Sequence, residues 1–186
     1  MDLKKIYKTR FNDVEERKII WKVLVEDFFQ QFIKKDNIVL DVACGYGEFI
    51  NQINCGKKYA IDLNPDTTKY LNKNITFYSQ SSTKMKSIRN NLIDKIFVSN
   101  FFEHIKREDI VETIKEFKRT LKSGGEVLIL QPNIRFCTKD YWMFFDHVTP
   151  IDDRALEEIF SSYNFRLKKR ILKFLPYTTK SKIPKS

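Results

Sequence analysis

Apolar residues return along this chain in two alternating rhythms. Between 14 and 35, Ile20, Val23, Leu24, Phe28, Phe32 and Ile33 recur at steps of three and four, which predicts an amphipathic helix. The next apolar run, IVLDVA (38–43), is short and rich in branched residues, as a buried strand requires. Four similar runs follow: KYAIDL (58–63), ITFYS (75–79), DKIFVSN (94–100) and EVLILQ (126–131). FRLKKRIL (165–172) predicts a sixth strand. Between the strands, helical signals appear. A brief helix should start near Gly47 and end by Gly56, and Pro65 suits the first turn of another. From Arg107 to Leu121, Ile110, Val111, Ile114, Phe117 and Leu121 keep helical period until SGG (123–125) ends it. Asp152 and Asp153 can cap a helix over 154–162. Strands alternating with helices, with central strands apolar on both faces, imply a parallel sheet covered on both sides.

This is an α/β sandwich of Rossmann type, and in such sheets ligands sit beyond the carboxyl ends of the strands. Asp41, Gly45 and Gly47 lie where the first strand hands over to its helix, in VLDVACGYGEFI (39–50). The two glycines allow backbone to approach a ligand where a side chain would collide. The GxxxxGK[ST] loop of nucleoside triphosphate binders is missing. A GxGxxG dinucleotide fingerprint is also incomplete, since Ile50 stands three places after Gly47. Asp62 ends the second strand, where a carboxylate can accept two hydrogen bonds from a ribose diol. The competing reading is a pair of turn glycines with an aspartate capping the next helix.

Length and composition narrow the picture. A chain of 186 residues with 42% hydrophobic content and no composition break reads as one domain with an ample core. No run approaches a membrane span, MDLKKIYKTR lacks the apolar region of a signal peptide, and three scattered cysteines fit a reducing compartment. A cytoplasmic location is therefore expected. The net charge of +10 would suit an anionic partner, but eight basic residues follow the last acidic one, Glu158, and supply most of it. A solvated basic face and a surface for anionic lipid, nucleic acid or a phosphorylated substrate are both open.

The segments DVACGYG (41–47), AIDLNP (60–65), SNFFEHI (99–105) and LKSGGEVLILQPN (121–133) together resemble class I S-adenosylmethionine-dependent methyltransferases. WKVLVEDFFQ (21–30), YWMFFDHVTP (141–150) and FLPYTTKSKIP (174–184) are similar to a bacterial group of these enzymes associated with surface-glycan synthesis. The resemblance implies S-adenosylmethionine as cofactor and a Rossmann-like sandwich whose sheet is mostly parallel. It also implies a seventh, antiparallel strand for which the residues after 172 leave too little chain. The molecule reads as cut before its usual end, with an exposed edge that invites a homodimer or an edge-strand partner. Three parts are expected: an N-terminal helical segment at 1–37, a core at 38–172 and a basic tail at 173–186.

Carried over residue by residue, Asp41 organises the loop and the methionine amino group, and Ala43, Gly45 and Gly47 pass close to the methionine moiety. Asp62 holds the ribose hydroxyls and Leu63 touches the adenine. Ser81 replaces the polar or acidic residue that usually meets the base. Asn100 and Phe101 line the pocket. The only two histidines, His104 and His147, each follow a carboxylate (Glu103 and Asp146) beyond strands four and five, on the ligand side. Imidazole titrates in the range a general base needs. His147, Asp146 and His104 are thus the candidate catalytic residues, with His104 also suited to ordering its turn. Tyr141, Trp142, Phe144 and Phe145 could wall an acceptor or plug the loop, and Met143 stands where the resemblance implies an acidic residue. HxxxH and CxxC spacings are missing, so no metal is expected. The expected reaction is O-methylation of a sugar or other small hydroxylated metabolite, with a nucleotide-linked sugar or glycan precursor as acceptor. The alternatives are an RNA methyltransferase, which lacks an NPPY-type signature here, and a non-catalytic cofactor-binding protein.

Overall fold

The computed structural model describes residues 14–175. Five strands form one sheet in the order β3-β2-β1-β4-β5, every pairing parallel. They are β1 (Ile38–Val42), β2 (Lys57–Asp62), β3 (Ile75–Ser79), β4 (Ile93–Ser99) and β5 (Leu121–Leu130). Because β1 is central and pairs β2 on one side and β4 on the other, the carboxyl ends of the three parallel strands lie side by side.

The strand runs are apolar because both faces are covered. On one face, Leu40, Val42, Ile61, Ile96 and Val98 pack with Ile110, Ile114 and Phe117 of α2 (Arg107–Thr120). On the other, Val39, Ala60 and Phe97 pack with Trp21, Val25, Phe29 and Phe49. Here Phe49 stacks on Phe97 with centroids 3.7 Å apart, while Phe29 meets Phe97 edge-on at 5.0 Å. The expected Rossmann-like sandwich is therefore present. Asp152 caps the next long helix, over Asp153–Ser162, by accepting from the N–H groups of Arg154 and Ala155 at 2.9 Å each. Among the described residues no helix is long and apolar enough to cross a membrane.

Four local expectations need correction. The N-terminal helix is continuous only as α1 (Val14–Val23), then widens to a π-helical turn at Leu24–Phe28 and tightens to a 3₁₀ turn at Phe29–Phe32. That irregularity lets four aromatic rings pack together: Phe28, Phe29, Phe32 and Phe174. After Gly47 the chain makes turns rather than a regular helix, although Asn51 and Ile53 each donate to a carbonyl four residues back. Gly56 is constrained for another reason: a Cβ there would lie 2.9 Å from the Asp36 carbonyl oxygen. SGG does not end α2, which stops at Thr120. It lies inside β5, where Gly124 adopts φ +76° and the register with β4 shifts between Ile93 and Lys95.

Residues 165–172 are not a strand. A strand needs a ladder, and a groove of about 1280 Å³ separates this segment from the outer edge of β5. Side chains hold the segment instead: Lys168 contacts Glu126, and Arg170 contacts Asp153 and Glu157. The same groove explains why the apolar VLIL of β5 is only half-buried. Much of the basic tail expected at 173–186 lies outside the described residues.

Candidate active site

The loop after β1 is built from left-handed backbone. Ala43, Gly45 and Gly47 have φ of +56°, +53° and +70°. Alanine is an uncommon occupant of that region, so the turn is held by its surroundings. Cys44 N–H donates to the Ile61 carbonyl at 3.1 Å, and Gly47 N–H to the Cys44 carbonyl at 2.8 Å. Asp62, at the end of β2, takes Gly45 N–H on one carboxylate oxygen (2.9 Å) and Asn64 N–H on the other (2.8 Å). Each oxygen keeps a second lone pair, which suits a diol. A Cβ at Gly45 would meet nothing within 4 Å, so the loop faces open space there.

Beneath it, Asp41 is buried at 3% exposure. Burial first, then the charges of Asp62 and Glu48, hold its carboxyl well above the usual range, while the Ile50 N–H pulls the other way. Arg17 of α1 answers Glu48 with two bonds, of 2.6 and 2.8 Å. Arg17 and Glu48 were not anticipated from the sequence. Glu48 adjoins the glycines and could have been found, whereas nothing local marks Arg17.

The other expected contacts vary in how they present themselves. Leu63 is 72% exposed beside Asp62. Asn100 is exposed with φ +46°, and its N–H is tied to the Leu130 carbonyl at 2.8 Å. Phe101 is half-buried next to it. Ser81 is engaged within its own turn, bonding the Thr83 hydroxyl (2.8 Å) and accepting from Thr83 N–H (3.2 Å).

A second group assembles after β4. Glu103 sits in the 3₁₀ turn Phe102–His104 and is 1% exposed. Its carbonyl accepts from Val148 and Thr149 N–H at 2.8 and 3.1 Å, which ties the 141–149 loop to the β4 end. Tyr141 OH donates to the Thr149 carbonyl at 2.5 Å, and Thr149 Oγ1 to the Ile105 carbonyl at 2.6 Å. One Glu103 oxygen accepts from Gln131 Nε2 at 2.6 Å, and the other lies 3.7 Å from His104 Nε2. The opposite ring nitrogen, His104 Nδ1, lies 3.3 Å from an Asp146 carboxylate oxygen and 3.2 Å from its carbonyl. His147 stacks edge-on against His104 with centroids 4.8 Å apart and also meets Tyr141 and Phe144. Thus the three candidate catalytic residues do converge, but Asp146 faces His104 rather than only its sequence neighbour. Burial pushes the Glu103 carboxyl up, against the opposing influence of His104. Of the aromatic segment, Tyr141 is a core plug at 0% exposure, whereas Trp142 and Phe145 stand 54% and 83% exposed.

Residues 40–129 match the family model described as a methyltransferase domain. Among solved structures, a SAM-dependent methyltransferase from Archaeoglobus fulgidus is similar at a TM-score of 0.72 and 20% identity, covering 99% of this chain and 87% of that one. The PH0226 protein from Pyrococcus horikoshii OT3 aligns at 0.64 and 18%, covering 81% and 82%. Geranyl diphosphate C-methyltransferase from Streptomyces coelicolor A3(2) aligns at 0.60 and 11%, covering 78% and 60%. No curated protein matches the chain. Fold and domain match together support methyl transfer as the activity and S-adenosylmethionine as the cofactor. The open space at Gly45 and the strand-end Asp62 fit that cofactor, which carries a ribose diol. When bound, S-adenosylmethionine supplies an electrophilic methyl group, and the chain's part is to align an acceptor and exclude water.

Proposed function

We propose that this enzyme methylates a hydroxyl oxygen of a sugar or a related small hydroxylated metabolite, presented as a nucleotide-linked or glycan precursor. The observation that carries the reading is the presence of two exposed aromatic side chains, Trp142 and Phe145, on the same short loop that brings Asp146 and His147 to His104 at the β4 end. Flat aromatic faces suit a sugar ring. The histidine–carboxylate group beneath can take up the proton that an acceptor hydroxyl loses. β1 and β4 are paired through Val42 and Val98, so the strand that leads to this group is the neighbour of the one that leads to the glycine loop, which supports the reading.

Methylation of RNA is the second reading, favoured only by the basic C-terminal segment. Two of those cations are already spoken for, and Lys168 contacts Glu126 at the start of the β5 core run, far along the strand from its ligand end. The test has two stages. Calorimetry of S-adenosylmethionine and S-adenosylhomocysteine, with NADH as control, should give micromolar binding of the sulfur compounds alone. Asp62→Ala should weaken it by roughly tenfold or more, the worth of charge-assisted hydrogen bonds to the ribose. A screen beginning with nucleotide-linked sugars, read as S-adenosylhomocysteine formed, then tests the acceptor. Turnover on RNA but not on sugars would replace this reading. Tight cofactor binding with no turnover on either would point to a binding protein.

A further inference from the structure

The chain has two histidines, 43 positions apart, and the fold brings both to one carboxylate. Glu103, His104 and His147 each offer one donor atom, and the three atoms lie within 4.8 Å of one another. We propose that these three residues bind a divalent transition-metal ion of the Zn²⁺, Co²⁺ or Mn²⁺ class. The site takes both histidines of the proposed proton-accepting group, so with the ion bound those imidazoles hold the metal and do not serve as the base; metal binding stands whichever acceptor is methylated.

Geometry makes the case. Two ligands about 2.1 Å from a tetrahedral ion are roughly 3.4 Å apart, close to the 3.7 Å between His104 Nε2 and the second oxygen of Glu103. Bringing the third donor from the 4.8 Å limit to that spacing takes a shift of roughly 1–1.5 Å. The outer contacts are those that metal ligands need. Asp146 meets His104 at Nδ1, which directs the Nε2 lone pair towards Glu103. Gln131 donates to one Glu103 oxygen and so aims the other inward. The N–H groups of Val148 and Thr149 on the Glu103 carbonyl fix the distance between the two segments that supply the donors. Glu103 and Asp146 are 1% and 4% exposed, so this is a dry place with two carboxyl groups, where a dication offsets more charge than a single imidazolium. Two imidazoles and a carboxylate select a borderline transition metal over Mg²⁺ or Ca²⁺, which prefer all-oxygen shells. Three protein donors leave at least one position for water or an oxygen ligand.

The experiment uses the whole chain, freed of metal with a chelator and titrated with Zn²⁺ by calorimetry and with Co²⁺ by visible absorption. One ion per chain at micromolar affinity is expected, with a Co²⁺ spectrum of nitrogen and oxygen ligation and no thiolate charge-transfer band. Nitrogen hyperfine structure in the Cu²⁺ resonance of the same site would be specific, because no other histidines exist in the chain. His147→Gln and Glu103→Gln should each weaken Zn²⁺ binding at least tenfold while circular dichroism and S-adenosylhomocysteine binding persist. His104→Ala serves if either glutamine variant fails to fold. Absence of saturable binding, or equal binding by folded variants, overturns the proposal. A thiolate band would do the same by moving the ion to cysteine. Failure of the acceptor screen with metal bound would overturn the sugar reading and leave this site standing.

Discussion

The same substitution placed two residues apart should give opposite readouts. At Gly47, an alanine must hold φ near +70°, and its Cβ would lie 2.3 Å from Leu71 Cδ2 and 3.1 Å from Asn51 Nδ2. The leucine methyl can move aside. Asn51 cannot do so freely, because its amide donates to the Tyr70 carbonyl (2.8 Å) and accepts from Asn72 N–H (2.9 Å). Left-handed strain of about 1–2 kcal/mol and overpacking of about 1–3 kcal/mol make a loss of about 2–5 kcal/mol. At about 2–4 °C per kcal/mol, Gly47→Ala should melt roughly 4–20 °C lower. At Gly45 the strain is similar, with φ +53°, but nothing lies within 4 Å of the new Cβ. Gly45→Ala should therefore cost only about 1–2 kcal/mol. Its methyl group would instead enter the space assigned to the cofactor, and S-adenosylhomocysteine binding should fall at least tenfold. Urea unfolding and calorimetry on both variants decide the matter. Undiminished cofactor binding by a folded Gly45→Ala chain would refute the loop's close approach to the ligand. Equal stability of the two variants would refute the packing argument at Gly47.

Asp41 supplies a pH test. Its folded carboxyl titrates above the unfolded one because of burial, so the folded state binds the extra proton and stability from this group is lost as pH rises through the raised value. Asp41→Asn should unfold at higher urea than the parent at neutral and alkaline pH, and the difference should vanish below the ordinary carboxylate range. A gap independent of pH would sink the assignment. Tyr141→Phe deletes the donor to the buried Thr149 carbonyl and should cost about 1–3 kcal/mol in urea unfolding. No loss would mean that this bond does not anchor the 141–149 loop.

What could be read from the chain was what local pattern controls. Five strands, α2 and the helix after Asp152 follow from apolar runs, helical period and a capping side chain, all of which act within a few residues. The glycine loop was legible for the same reason: left-handed turns need glycine, and two of the five stand together after a strand. The failures arise where distant chain decides. FRLKKRIL has the composition of a strand, but a strand exists only through its partner, and the groove beside β5 denies it one. SGG looks like a helix stop, yet the β4 ladder recruits it into a bulged strand.

The histidine group shows the same division more sharply. Each histidine follows a carboxylate in sequence, which leaves open which carboxylate it meets. Sequence neighbours leave the backbone in different directions, and the pairing is set instead by Val148 and Thr149 N–H reaching the Glu103 carbonyl. Those two bonds draw Asp146 onto His104 and His147 onto the ring beside it. A donor set assembled in this way has no spacing signature, which is why motifs such as HxxxH could neither reveal nor exclude it. The residue types were visible from the start. Their convergence is a property of the β4 end, and the 141–149 loop brings it about by docking there.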